Sequence, residues 1–102
     1  MEEVKVIGLE ENALKIVLSG DIDLGNAEAF YNEVASAYEA NNADILFDCT
    51  SLNFIDSTTL GTFVKILKKV KQNGHSVRLV GLQSKIKKLF LICSLDKIMQ
   101  LD

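Results

Sequence analysis

The sequence predicts an α/β domain with a mixed, mainly parallel central sheet of about four or five strands flanked by helices. Three observations lead there. Strand-like and helix-like apolar patterns alternate after Gly20, and right-handed crossovers between such segments make neighbouring strands parallel. Two strand-like segments with a short connection open the chain and make the sheet mixed. The 102 residues are 48% hydrophobic and 25% charged, with no proline, linker or repeat, which fits one continuous domain over residues 1–102.

The first strands are read in VKVIGL (Val4 to Leu9) and ALKIVLSG (Ala13 to Gly20), where β-branched residues recur around an EEN connection suited to a hairpin. From Asn26 to about Ala40, the residues Ala27, Phe30, Tyr31, Val34 and Tyr38 recur at three- and four-residue steps. That spacing predicts an amphipathic helix, with Asn26 as its cap. DILFD, Asp44 to Asp48, is short and apolar between polar ends, the pattern of a strand buried on both faces. A loop is then expected up to Ser57.

From Ser57 to about Asn73, Leu60, Phe63, Val64, Leu67 and Val70 share one side of a helix, while Thr58, Thr62, Lys65 and Lys69 share the other. Asn73-Gly74 ends it. HSVRLVG, His75 to Gly81, is a further strand, and Ser84 to Ser94 a helix with Ile86, Leu89, Phe90 and Cys93 inward and Lys85, Lys87 and Lys88 outward. KIMQL closes the sheet.

A chain this short buries one core and leaves little material to enclose a large cleft, so function is expected on the surface. The net charge of −3 opposes direct nucleic-acid binding, which needs a basic footprint. MEEVKV lacks the positive-then-apolar order of a signal peptide, and the longest apolar run, Leu89 to Cys93, is too short for a bilayer. A cytoplasmic protein with no membrane partner is expected. Cys49 and Cys93 form no CxxC and have only His75 as a companion, so both are expected as buried packing residues, with no metal site.

The stretch that demands explanation is FIDSTTLGTF, Phe54 to Phe63, in which Ser57, Thr58 and Thr59 follow an aspartate directly. It joins the carboxyl end of a central strand to a helix N-terminus, where open α/β sheets tend to bind ligands and where a helix dipole welcomes an anion, including a covalently attached one. The plainer reading is that Asp56 or Ser57 caps the helix. Helix capping has no need of three successive hydroxyl residues.

FIDSTTLGTF resembles the phosphorylation segment of bacterial anti-sigma factor antagonists, small single-domain members of the STAS family. GDID (Gly20 to Asp23), ILFDCTSLNFIDS (Ile45 to Ser57) and IKKLFLICSLDKIMQL (Ile86 to Leu101) resemble that family's early turn, its strand-and-loop run and its terminal helix and strand. The resemblance covers essentially the whole chain and implies a single STAS-like domain. It implies that Ser57 is the phosphoacceptor, and matches Asp56, Gly61 and the acidic Asp23 placed close to that serine. A partner-binding surface of Asp23, Asp56, Ser57, Thr58, Thr59, Gly61, Thr62 and Lys65 follows as an expectation. One departure stands out, because Thr59 occupies a position usually held by glycine.

The implied mechanism is partner switching, without enzymatic activity or cofactor in the antagonist itself. The unmodified protein would bind an anti-sigma factor and free a sigma factor; serine kinase activity in the anti-sigma factor would phosphorylate Ser57 and break the complex, and a phosphatase would reset it. The alternative is a STAS-type interaction scaffold with no phosphorylation cycle, able to bind a nucleotide or another small anion. A hydrolase with Ser57 as nucleophile lacks a base, since His75 is expected at the far end of the helix. Neither GxxxxGK[ST] nor GxGxxG is present. The lysines at 65, 68, 69 and 71 read as a solvated helix face, with contact to an acidic surface as the alternative.

Overall fold

The computed structural model describes residues 1–102. Its strands are β1 (Val4–Glu10), β2 (Ala13–Ile22), β3 (Asp44–Ile55), β4 (Val77–Val80) and β5 (Gln100–Leu101). The helices are α1 (Ala27–Ala40), α2 (Ser57–Lys71) and α3 (Ser84–Ile92), and a 3-10 turn at Leu95–Lys97 leads into β5. The strands form one sheet in the order β1-β2-β3-β4-β5. β1 and β2 are antiparallel, and every later pair is parallel. The hairpin turns on Glu11 and Asn12, both with positive φ (51° and 70°), as a tight two-residue connection between right-twisted strands requires.

Because strand order follows chain order from β2 to β5, right-handed crossovers advance in one direction and put all three helices on the same face. Burial agrees. Leu14, Ile16 and Leu18 of β2 and Ile45, Phe47 and Cys49 of β3 are buried, while the alternate residues Lys15, Val17, Leu46 and Asp48 are only half-buried. The segment Asp44–Asp48 is thus covered on one face, not on both as its apolar run predicts. Phe47 is the meeting point of the layers, with its ring 6.1 Å from Phe30 of α1 and 5.4 Å from Phe63 of α2. Phe63 in turn lies 5.3 Å from Phe90 of α3, in the edge-to-face geometry favoured by aromatic quadrupoles.

Two further expectations change. In α3 only Ile86 and Phe90 are buried; the helix ends at Ile92, so Leu89 and Cys93 face outward. A nine-residue helix resting on Phe63 has one inward i, i+4 pair to offer. Cys49 is buried as expected, and burial pushes its thiol up to about 12. Several large apolar side chains are exposed, among them Leu24, Phe54, Leu91 and Ile92.

Candidate functional site

β3 extends well beyond DILFD because β2 continues beside it, with Asp21 paired to Phe54 and Ile22 to Ile55. Phe54 and Ile55 are therefore strand, and the loop before α2 shrinks to Asp56. Parallel neighbours lie about 4.8 Å apart, so the chain leaves Ile22 and Ile55 side by side, and Asp23 and Asp56 begin the two exits from the sheet.

Asp56 is the N-cap of α2, with extended backbone angles (φ −122°, ψ −173°). One carboxylate oxygen accepts the backbone N–H of Thr59 at 3.0 Å; the other accepts that of Leu24 at 2.9 Å. The Thr59 hydroxyl completes a capping box by accepting the Asp56 N–H at 3.4 Å. The Thr59 amide, joined by the Leu24 amide, holds the Asp56 carboxyl below its ordinary value.

With the cap assigned to Asp56, Ser57 is the first helical residue and is exposed, as is Thr58. The first-turn N–H groups and the positive end of the helix dipole face the same solvent. Gly61 is exposed, with open space where a Cβ would stand. Thr62 is half-buried and donates to the Thr58 carbonyl at 3.0 Å. Lys65 is exposed, its ammonium 4.1 Å from the centre of the Tyr31 ring. Thr59 departs from expectation: it is fully buried and cannot contribute to an outer surface. At the third position of α2 its side chain points back under the helix start, where its hydroxyl donates to the Ile22 carbonyl.

Asp23 is half-buried in the turn between β2 and α1, and its carboxylate accepts the Gly25 N–H at 2.9 Å. Asn26 does not cap α1 with its side chain. Its oxygen accepts the Asp23 N–H at 2.8 Å and its amide nitrogen donates to the Asp21 carbonyl at 3.0 Å, bracing the turn from within. An open groove of about 410 Å³ runs from this turn between α1 and α2, lined by Leu24, Ala27, Glu28, Tyr31, Asn32, Thr58, Thr62 and Lys65. Sequence reasoning found the α2 wall. It missed the α1 wall because periodicity assigns Tyr31 to the core and gives no weight to Leu24, an isolated leucine in a turn. His75 lies beyond the opposite end of α2, with Nδ1 2.6 Å from the Tyr38 hydroxyl.

The STAS domain model matches residues 5–102 of the chain. The chain belongs to the STAS domain family.

Within that family, the anti-sigma-B factor antagonist of Bacillus subtilis is 31% identical over 92 residues, covering 90% of this chain and 84% of the relative. The anti-sigma-B factor antagonist of Staphylococcus aureus is 24% identical over 93 residues, covering 91% of this chain and 86% of the relative. Membership of the anti-sigma factor antagonists follows, a regulatory and non-enzymatic family. Among solved structures, an anti-sigma-factor antagonist (STAS) domain protein from Planctomyces limnophilus superposes with a TM-score of 0.84 at 14% identity, over 96% of this chain and 87% of the other. The phosphorylated form of the Bacillus cell fate determinant SpoIIAA gives a TM-score of 0.75 at 17% identity, over 97% and 90% of the two chains. These likenesses establish the STAS fold. In this STAS domain no helix is long and apolar enough to cross a membrane, and no group of three or more His, Cys, Asp or Glu side chains stands together as a metal site.

Proposed function

We propose that this STAS domain is an anti-sigma factor antagonist switched by phosphorylation of Ser57. The observation that carries the reading is the division of labour between neighbours: Asp56 takes the capping bonds, and Ser57 is left exposed on the first turn of α2. A kinase can reach that hydroxyl without opening the helix. The Ser57 oxygen would take the γ-phosphoryl group of ATP, releasing ADP and the hydroxyl proton.

In the unmodified state, Ser57, Thr58, Gly61, Thr62 and Lys65 on α2, with Asp23 and the outer edge of Asp56, form the surface offered to the anti-sigma factor, and binding frees the sigma factor. Phosphorylation adds a charge of about −1.5 to −2 beside Asp23 and Asp56. The helix start tolerates this anion; a partner that has buried the same patch does not. A thousandfold loss of affinity needs only about 4.1 kcal/mol. Removal of the phosphate by a phosphatase restores binding, so the cycle acts on the surface and leaves the fold alone.

The test is incubation with the anti-sigma factor and ATP, followed by intact-mass and peptide mass spectrometry. One phosphate on Ser57 and dissociation of the complex are expected. An unmodified protein in a stable complex would overturn the switch and leave an interaction scaffold without a phosphorylation cycle.

A further inference from the structure

We propose that Thr59 is a positioning residue, whose buried hydroxyl ties the end of β2 to the first turn of α2 and so fixes the Asp23–Asn26 turn beside Ser57. Thr59 is fully buried, at 0% exposure, among apolar core residues. A hydroxyl buried there is retained only when its hydrogen bond is made. Its partner is the Ile22 carbonyl, 37 residues away in sequence and the last group of β2 before the turn.

The hydroxyl has a single proton. Given to Ile22, that proton is not available to the Asp56 carboxylate oxygen 3.1 Å away, which instead receives the Thr59 N–H. Two straps therefore hold the turn to α2. Asp56 grips the Leu24 amide from the exposed side, and Thr59 grips the Ile22 carbonyl from the dry side. Bonds within the turn, from the Asp23 N–H to Asn26, from the Asn26 amide to Asp21 and from the Gly25 N–H to Asp23, fix its shape without attaching it to α2. A glycine at position 59 would leave the inner strap unmade.

The turn carries Asp23 and the exposed Leu24 up to the groove that Thr58 and Thr62 line. A surface already fixed in its binding shape loses less freedom when a partner arrives. This functional consequence rests on the reading of Ser57 as the switch; the attachment of the turn does not.

The experiment compares Thr59→Val, which keeps the shape and loses the hydroxyl, with Thr59→Ser, which keeps the hydroxyl. Thr59→Gly serves as a third variant should valine prevent folding. Amide hydrogen exchange on the free protein is expected to accelerate about tenfold or more at Leu24 in the valine or glycine variant, with Phe47 in β3 unchanged relative to global stability. Serine restores the wild-type rate. Affinity for the anti-sigma factor should weaken roughly tenfold in the valine variant and recover in the serine variant. Leu24 exchange within about twofold of wild type in a folded valine or glycine variant would overturn the proposal, as would acceleration shared equally by Phe47. Because exchange is read without partner or kinase, a failed Ser57 switch and a failed strap give different results.

Discussion

The Asp56 carboxylate accepts the Leu24 amide at 2.9 Å across 32 residues of sequence, while its other oxygen caps α2 through Thr59. One side chain thus serves two elements, and the β2–α1 turn and the helix bearing Ser57 are braced by the same carboxylate. Its charge is committed to the frame of the site.

Asp56→Ala should lower the melting temperature measurably, because α2 loses its N-cap bond from Thr59 and the Leu24 amide loses its acceptor as well. The pH dependence has a definite sign. The folded carboxyl lies below its ordinary value of 3.8, so its stabilisation is full above that value and is lost as pH falls through the lower folded pKa. Thermal melts of both proteins from neutral to strongly acid pH should therefore converge only in acid. A gap that persists unchanged at the acid end would contradict the assigned ionisation.

Gly81→Ala should destabilise the fold by about 1–3 kcal/mol. Gly81 has φ +75°, and a Cβ there would collide with the Thr50 hydroxyl and lie 3.1 Å from the Thr50 nitrogen. Thr50 cannot swing away cheaply, because its hydroxyl donates to Asp48 at 2.7 Å. Urea denaturation gives the measurement, with wild-type stability as the outcome that would contradict the tight contact.

Asp23→Asn should leave melting nearly unchanged, since asparagine keeps the oxygen that accepts the Gly25 N–H. Removal of the charge should change partner affinity or the rate of Ser57 phosphorylation by roughly two- to fivefold, the scale of an exposed charge pair. If both stay at wild-type values, Asp23 is a turn residue alone.

Much of this fold was legible because its signals are local. The Glu10-Glu11-Asn12 connection, the α2 stripe of Leu60, Phe63, Leu67 and Val70, and the stop at Asn73-Gly74 each depend on neighbours in sequence. The start of α2 at Asp56 and Ser57 was legible because an aspartate and hydroxyl residues ahead of an apolar helical stripe are also a local pattern. What stayed hidden depends on pairing across the sheet. The run of β3 to Ile55 follows from its register with Ile22, and the burial of Thr59 follows from a carbonyl 37 residues away. Asn26 looked like a helix cap because capping and turn-bracing draw on the same side chain, and only the fold decides between them. Leu24 gave no signal, since one leucine in a turn has no period.

Ser57→Ala should fold, escape phosphorylation and bind the anti-sigma factor constitutively. Asp56 already supplies the cap, so alanine at the first helical position should change stability by no more than about 0.5 kcal/mol. Phosphate on the alanine variant at the wild-type level would move the modification to Thr58, because Thr59 is buried beyond a kinase's reach.

Ser57→Asp should weaken anti-sigma binding without unfolding the domain, and less completely than phosphorylation. A carboxylate on the first turn of α2 is favoured by the helix dipole by about 0.3–1 kcal/mol, which offsets repulsion from Asp56. Asp56 itself remains bonded to Thr59 and Leu24, so the straps that hold the turn persist. The partner meets an added charge where it expects a hydroxyl, but one smaller than the roughly −1.5 to −2 of a phosphate and with fewer acceptor oxygens. Affinity should therefore fall between those of the unmodified and phosphorylated proteins. Circular dichroism and thermal melting check the fold, and titration calorimetry against the anti-sigma factor checks the affinity. Wild-type affinity in a folded variant would show that charge at this position is not the switch. Loss of the melting transition would show instead that the first turn of α2 cannot accept a second carboxylate beside Asp56.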